Sequence, residues 1–167
     1  MRLDIKDFEG ALELCAAGVL ADVRRVGLPP LGEDAELEFA FEAAAGAGVF
    51  TLSVGAIAAS DIRVRKGEAL EIFYAHLRDE DPAHFAETQV AWTAQPELAA
   101  AWAIGSVLID PHRLAMTHPY VETVGFSFLC LRGGEPVGRL ALIGESDILL
   151  AADMSDPTLA PYQLETL

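Results

Sequence analysis

Ile5-Lys6-Asp7-Phe8-Glu9-Gly10-Ala11-Leu12-Glu13-Leu14-Cys15-Ala16-Ala17-Gly18-Val19-Leu20-Ala21-Asp22-Val23-Arg24-Arg25-Val26 opens the chain, and its periodicity sets the expected class of everything after it. Ile5, Phe8, Leu12, Cys15, Val19, Val23 and Val26 recur at steps of three and four, the spacing of one apolar helical stripe. Asp4 can accept a hydrogen bond at the N-cap, and Asp7 adds negative charge to the first turn. Arg24 and Arg25 would complement the dipole at the far end, Gly27 would cap it, and Pro29-Pro30 would stop it. The spacing therefore predicts a single helix from Ile5 to Val26.

Beyond it the period changes to two. Leu37, Phe39 and Phe41 alternate with Glu36, Glu38, Ala40 and Glu42, which predicts a strand with one apolar and one acidic, wet face. Gly46-Ala47-Gly48 suits a hairpin loop leading into the strand Phe50-Leu52-Val54. Asp61 to Arg65 alternates again, placing Arg63 and Arg65 across from the glutamates. Glu68 to Leu77 fits both periods, and its aromatic content favours strand. Helical starts are expected at Asp81-Pro82, Gln95-Pro96-Glu97 and Asp110-Pro111. Val121 to Leu131 and Val137 to Ile143 form a hairpin around Gly133-Gly134-Glu135-Pro136, and an apolar Ile148-Leu149-Leu150 follows. The expected class is α+β: an N-terminal helix, an antiparallel sheet of about five strands, and helices packed on one face. Residues 1–154 form a single domain, and 155–167, interrupted by prolines, run over the surface as a C-terminal tail.

The chain has 167 residues, with 26 Asp and Glu against 11 Lys and Arg, a net charge of −15, and 52% hydrophobic residues. That much apolar material excludes a disordered acidic tail. The acidity argues against nucleic acid or an anionic membrane as partner, since both need a basic face. Ala43 to Ser60 carries no charge over 18 residues, but Phe50, Leu52 and Val54 alternate with Thr51 and Ser53, a strand period unlike a membrane helix. The first residues lack the basic and apolar regions of a secretory signal, so the expected compartment is cytoplasmic. Cys15 and Cys130 are too few for a disulfide framework, and both fit as buried, reduced thiols.

Sequence motifs for chemistry are absent. The four histidines, His76, His84, His112 and His118, do not form a His-Glu-x-x-His pair, and His84 with Glu80 and Glu87 suits a solvated helix end better than a metal site. Ser106, Ser127 and Ser146 lack the glycine-flanked turn of a nucleophile elbow. Gly46-Ala47-Gly48 precedes a strand and does not lead one into a helix, so it is no dinucleotide loop. Lys6 and Lys66, the only lysines, lie in no evident apolar pocket. No catalytic residue, metal or cofactor is assigned.

What remains is charge. Glu36, Glu38 and Glu42, with Glu33 and Asp34 before them, make a negative stripe, and Asp79-Glu80-Asp81 makes a second cluster. Such charge steers basic partners inward, and the three strand glutamates are the expected partner-binding residues. The order of elements and the acidity resemble those of the type III secretion effector chaperones, over the Ile5 to Val26 helix, the strands from Glu36 to about Leu77, the helical region after Asp81 and the Val121 to Ile143 hairpin. Three helical starts stand where that family has one central helix. The resemblance implies a homodimer that holds an unfolded effector segment on an apolar sheet face. The expected function is thus a non-enzymatic, chaperone-like protein-binding module. Two alternatives are an immunity protein or antitoxin neutralising a basic toxin, and a small-molecule enzyme with a pocket near His112, His118 and Tyr120.

Overall fold

The computed structural model describes residues 8–27, 35–55, 63–66, 82–83, 86, 93–116, 122–145 and 148–166. The long N-terminal helix is the first expectation it overturns. Among the described residues helix α1 covers Phe8–Cys15, and Val19–Gly27 is strand β1. The helix ends because Ala17 turns into the left-handed region, at φ 63°, and the Gly18 N–H closes onto the Cys15 carbonyl at 3.0 Å. A β-bulge then explains why the strand looked helical. Leu20 stands opposite Phe41 and Asp22 opposite Ala40, so Ala21 is an extra residue without a counterpart. Across the bulge, Leu20 and Val23 both face inward at a spacing of three, and Val26 is buried on the opposite face. Arg24 pairs with Asp22, and Arg25 reaches Glu97 at 3.0 Å, so neither serves a helix end.

Among the described residues nine further strands follow: β2 (Glu36–Glu42), β3 (Val49–Gly55), β4 (Arg63–Lys66), β5 (Thr93–Pro96), β6 (Val107–Met116), β7 (Glu122–Arg132), β8 (Glu135–Glu145), β9 (Ile148–Asp153) and β10 (Tyr162–Glu165). All pair antiparallel in one sheet, ordered β4-β3-β2-β1-β6-β7-β8-β9, with β5 on β1 and β10 on β6. The described chain is therefore mostly β, and the α+β class with helices packed on a face is wrong. Helix-like starts became something else. Asp110-Pro111 is a bulge inside β6, with Asp110 at φ 50°. Gln95-Pro96 ends strand β5, and only a 3-10 turn, Leu98–Ala103, follows, its N-cap Glu97 accepting from the Ala99 N–H. Pro82, Ala83 and Ala86 are helical as expected, whereas Glu68 to Leu77 lies outside the described residues.

The sheet curls back on itself. β3 approaches β8 and β2 approaches β9 across an interior filled by Leu37, Phe39, Phe41, Leu52, Phe126 and Phe128. Phe39 stacks on Phe128 at 6.0 Å and meets Phe126 edge-on at 6.5 Å, so aromatic contacts join β2 to β7 across the core. Leu12 and Cys15 of α1 and Ala100 and Ala103 of the 3-10 turn belong to the same cluster. Among the described residues, α1 and the 3-10 turn pack against the core of the curled sheet without forming a helical layer.

A second, smaller cluster lies under the C-terminal segment. Leu114, Val124, Ala141, Ile143 and Ala152 pack with Leu159, which is 1% exposed, and with Tyr162. Residues beyond Ser155, read from the sequence as a surface tail, thus carry a buried anchor and a paired strand. The β7–β8 hairpin agrees with its reading: Gly133 and Gly134 take φ values of 60° and 83°, as a two-residue primed turn requires.

Candidate functional site

The glutamates of β2 do not share one environment. Glu36 is half-buried, Glu38 is 1% exposed, and only Glu42 is exposed. Alternation put them on one face correctly, but that face is itself covered near its middle, where Ala40, Thr51 and Ser53 are also buried. The wet acidic face is thus dry at Glu38. Strand β4 pairs with β3, opposite Thr51 and Ser53, so the positions of Arg63 and Arg65 lie one strand further from the glutamates than expected. Glu33, Asp34 and the Asp79-Glu80-Asp81 cluster lie outside the described residues.

Glu42 instead belongs to a different feature. Following the register across the sheet, Val49 pairs with Glu42, Glu42 with Val19, Val19 with Val107, Val107 with Leu131, and Leu131 with Pro136. Directly paired residues point to the same face, so these six side chains form one row across β3, β2, β1, β6, β7 and β8. Their neighbours Phe50, Phe41, Leu20, Leu108 and Cys130 point inward and are buried, which puts the row outside. Val49, Val19 and Val107 are 37%, 38% and 36% exposed. Six strands at about 4.8 Å spacing make the row roughly 24 Å long along the sheet.

More apolar surface gathers at this end. Ile104 and Val137 are exposed, and Val137 is the extra residue of a bulge between Cys130 and Leu131. Arg132, beside the row, turns its guanidinium onto the carbonyls of Trp102 (2.8 Å) and Ile104 (3.0 Å). The exposed charges at the row on the paired strands are Glu42 within it, and Glu135 with its strand partner Arg132 beside it. Sequence reasoning missed this surface because it exists only through register. Its local trace is a pair of adjacent apolar residues at a strand start, Val19-Leu20, Val49-Phe50 and Val107-Leu108, where strict alternation would place a polar one.

The histidine region holds a polar cluster. The β6 bulge turns Asp110 and His112 toward Arg139 of β8 and Ser127 of β7. Arg139 donates to the Asp110 carboxylate, to its carbonyl at 2.9 Å and to the Ser127 hydroxyl at 3.1 Å. His112 places Nε2 3.1 Å from Asp110 Oδ1 and Nδ1 3.2 Å from the Glu165 carbonyl. Partial desolvation pushes the Asp110 carboxyl up, but hydrogen bonds and positive charge from Arg139 and His112 outweigh it and hold it below its ordinary value.

Serine, histidine and aspartate thus lie close together without the arrangement of a nucleophilic triad. Ser127 is fully buried, and both ring nitrogens of His112 are engaged elsewhere. His118 and Tyr120, the other members of the expected pocket, lie outside the described residues. Cys15 and Cys130 are free and buried. Among the described residues no three His, Cys, Asp or Glu side chains group to hold a metal, and no helix is long and apolar enough to cross a membrane.

Comparison with known protein families, curated proteins and solved structures finds no match to this chain.

Proposed function

We propose that this chain is a non-enzymatic protein-binding domain whose partner presents an apolar patch rimmed by basic side chains. One observation carries the reading: the solvent-facing row Val49, Val19, Val107 and Leu131, which continues across six paired strands. The row follows the curl of the sheet, so the part that one partner can meet is Val19, Val107 and Leu131 on three neighbouring strands, with the exposed Ile104 and Val137 at the same end. The apolar stretch left unbroken by Glu42, from Val19 through Val107 to Leu131, is the kind of surface that marks an interaction site.

Charge selects the occupant. Glu42 interrupts the row, Glu135 borders it, and the whole chain carries −15. A second copy would bring like charges face to face, whereas a basic protein would be drawn in at an enhanced rate. The chaperone version of this function rested on an element order that the structure lacks, so it is set aside. Neutralisation of a basic protein, as an immunity protein or antitoxin does, is the version that acidity and an exposed contact row favour. A cytoplasmic location is part of the same proposal.

The test compares the wild-type chain with the Val19→Thr/Val107→Thr variant as bait in a lysate of its source, at low and high salt. The expected result is one stoichiometric basic protein, captured by the wild type, weakened by high salt, and lost from the variant. Equal capture by both baits would overturn the reading, as would no capture at all. Sedimentation of the free protein covers the remaining case: a dimer that the variant converts to monomer would assign the row to self-association.

A further inference from the structure

Several contacts hold the C-terminal segment over the second apolar cluster. Met154 donates its N–H to the Arg139 carbonyl at 2.8 Å, the Asp156 side chain accepts from the Thr158 N–H at 2.9 Å, and Leu159 is buried. Strand β10 then pairs four residues with β6, from Tyr162 opposite Met116 to Glu165 opposite Arg113. Beyond the ladder, His112 Nδ1 meets the Glu165 carbonyl at 3.2 Å and Arg113 donates to the Thr166 carbonyl at 3.5 Å.

The chemistry of the His112 contacts is asymmetric in one respect. A carboxylate oxygen and a backbone carbonyl are both acceptors only, and each faces one ring nitrogen. Both contacts are hydrogen bonds only when the ring carries two N–H groups, that is, as imidazolium. A neutral ring has one proton for two acceptors, so one contact becomes lone pair against lone pair. The carboxylate is the stronger acceptor and keeps that proton, because a hydrogen bond to an ionised group exceeds one to a neutral carbonyl. Loss therefore falls on the Glu165 side.

We infer that His112 is a proton-operated latch on the C-terminal segment, fastening β10 to β6 when charged and loosening it when neutral. The proton leaves to solvent from Nδ1, and no other bond changes. Among the described residues, the charged groups on the elements packed about the ring are Asp110 and Arg113 on β6, Arg139 on β8 and Glu165 on β10, with β7 contributing the uncharged Ser127. Arg139 holds the Asp110 carboxylate in place in both states, so the moving part is the strand and not the acid. Leu159 and Tyr162 keep the segment anchored on Leu114, Val124 and Ile143, so the loosening falls on the Leu164 and Glu165 end of β10. The inference does not depend on the partner-binding row, which lies at the other end of β6.

Amide hydrogen exchange of β10, corrected for the chemical exchange rate, tests it at acid and alkaline pH, about 5.5 and about 8.5. Wild type is expected to lose about tenfold of its β10 protection at the higher pH, the worth of one charge-assisted hydrogen bond. His112→Asn offers an amide N–H near the Nδ1 position at every pH and should remove the dependence. Equal protection of wild-type β10 at both pH values would overturn the latch, as would an unchanged pH dependence in the variant. Should the variant fail to fold, nitrogen-detected NMR of the wild type decides alone. The His112 ring and the Leu164 and Glu165 amides must titrate together, and separate titration would refute the coupling.

Discussion

Val19 stands directly opposite Val107 where β1 meets β6, and both side chains face outward while Leu20 and Leu108 beside them are fully buried. The backbone at this junction is tightly bonded, Leu20 N–H to Ser106 at 2.9 Å and Leu108 N–H to Gly18 at 2.8 Å. Its side chains are thus not what holds the strands together. Threonine keeps the β-branched shape and the strand preference while removing apolar surface. The Val19→Thr/Val107→Thr variant should change stability by less than about 1 kcal/mol, or about 3 °C in Tm. Partner affinity should meanwhile fall at least about tenfold, because a buried hydroxyl without a partner costs that much. Calorimetry beside a binding titration separates the two effects.

Leu20 provides the opposite test. A continuous helix would bury Val19 and Val23 on one stripe, with Leu20 beside it; the bulged strand buries Leu20 and exposes Val19. Leu20→Ala should therefore cost about 2–5 kcal/mol. Val19→Ala, at an exposed site, should cost less than about 1 kcal/mol. Denaturant unfolding of the two variants would show the order reversed if the segment were helical.

That bulge also marks the limit of what was legible. The β2–β3 and β7–β8 hairpins could be read because period and turn residues agreed, Gly46 to Gly48 in one and Gly133-Gly134 in the other. In β1 they conflicted: one extra residue at Ala21 converted a period of two into a step of three, and Arg24, Arg25 and Gly27 imitated a helix end. Asp110-Pro111 misled in the same way, since an aspartate before a proline suits a bulge as well as a helix start. Among the glutamates, alternation gave the face of Glu38 but could not show that the face is covered. The contact row was beyond reach because its members are far apart in sequence and adjacent only through six-strand register.

Asp110 carries a pH dependence with a definite sign. Its folded carboxyl is held below the ordinary value, so the unfolded chain takes up protons more readily. The resulting stability is present above the unfolded value and is lost as pH falls through the folded one. Asp110→Asn should lower stability at pH 7, and the gap to wild type should close below about pH 4, near the unfolded carboxylate value. Urea unfolding at several pH values checks this, and a gap that persists in acid would locate the loss elsewhere, such as in the strained backbone of residue 110.

The thiols give a chemical readout of the core. Burial pushes the Cys15 thiol well above its ordinary value. Cys130 is raised too, by burial first and by the Asp153 charge, against a lowering hydrogen bond at Leu140 and the charges of Arg139 and Arg132. Reactivity needs both exposure and thiolate, and neither site offers them. A disulfide reagent at pH 8 should find no reactive thiol in the folded protein and both thiols in guanidinium. Fast labelling of one cysteine in native buffer would mean that its side of the core opens locally.

Gly125 tests the sheet where β7 meets β8. It pairs with Ile143, beside the second apolar cluster, and a Cβ built on it would lie 2.0 Å from the Leu142 carbonyl oxygen. That oxygen belongs to the backbone of the neighbouring strand, so no side-chain rotation relieves the clash; the strands must part. Parting them would loosen Val124, Phe126 and Leu142, which are buried on both sides of the contact. Gly125→Ala should cost about 3 kcal/mol or more, although alanine ordinarily stabilises a strand relative to glycine. A neutral or stabilising outcome would show that β7 and β8 are not in this register, and would remove the β7–β8 end of the contact row with it.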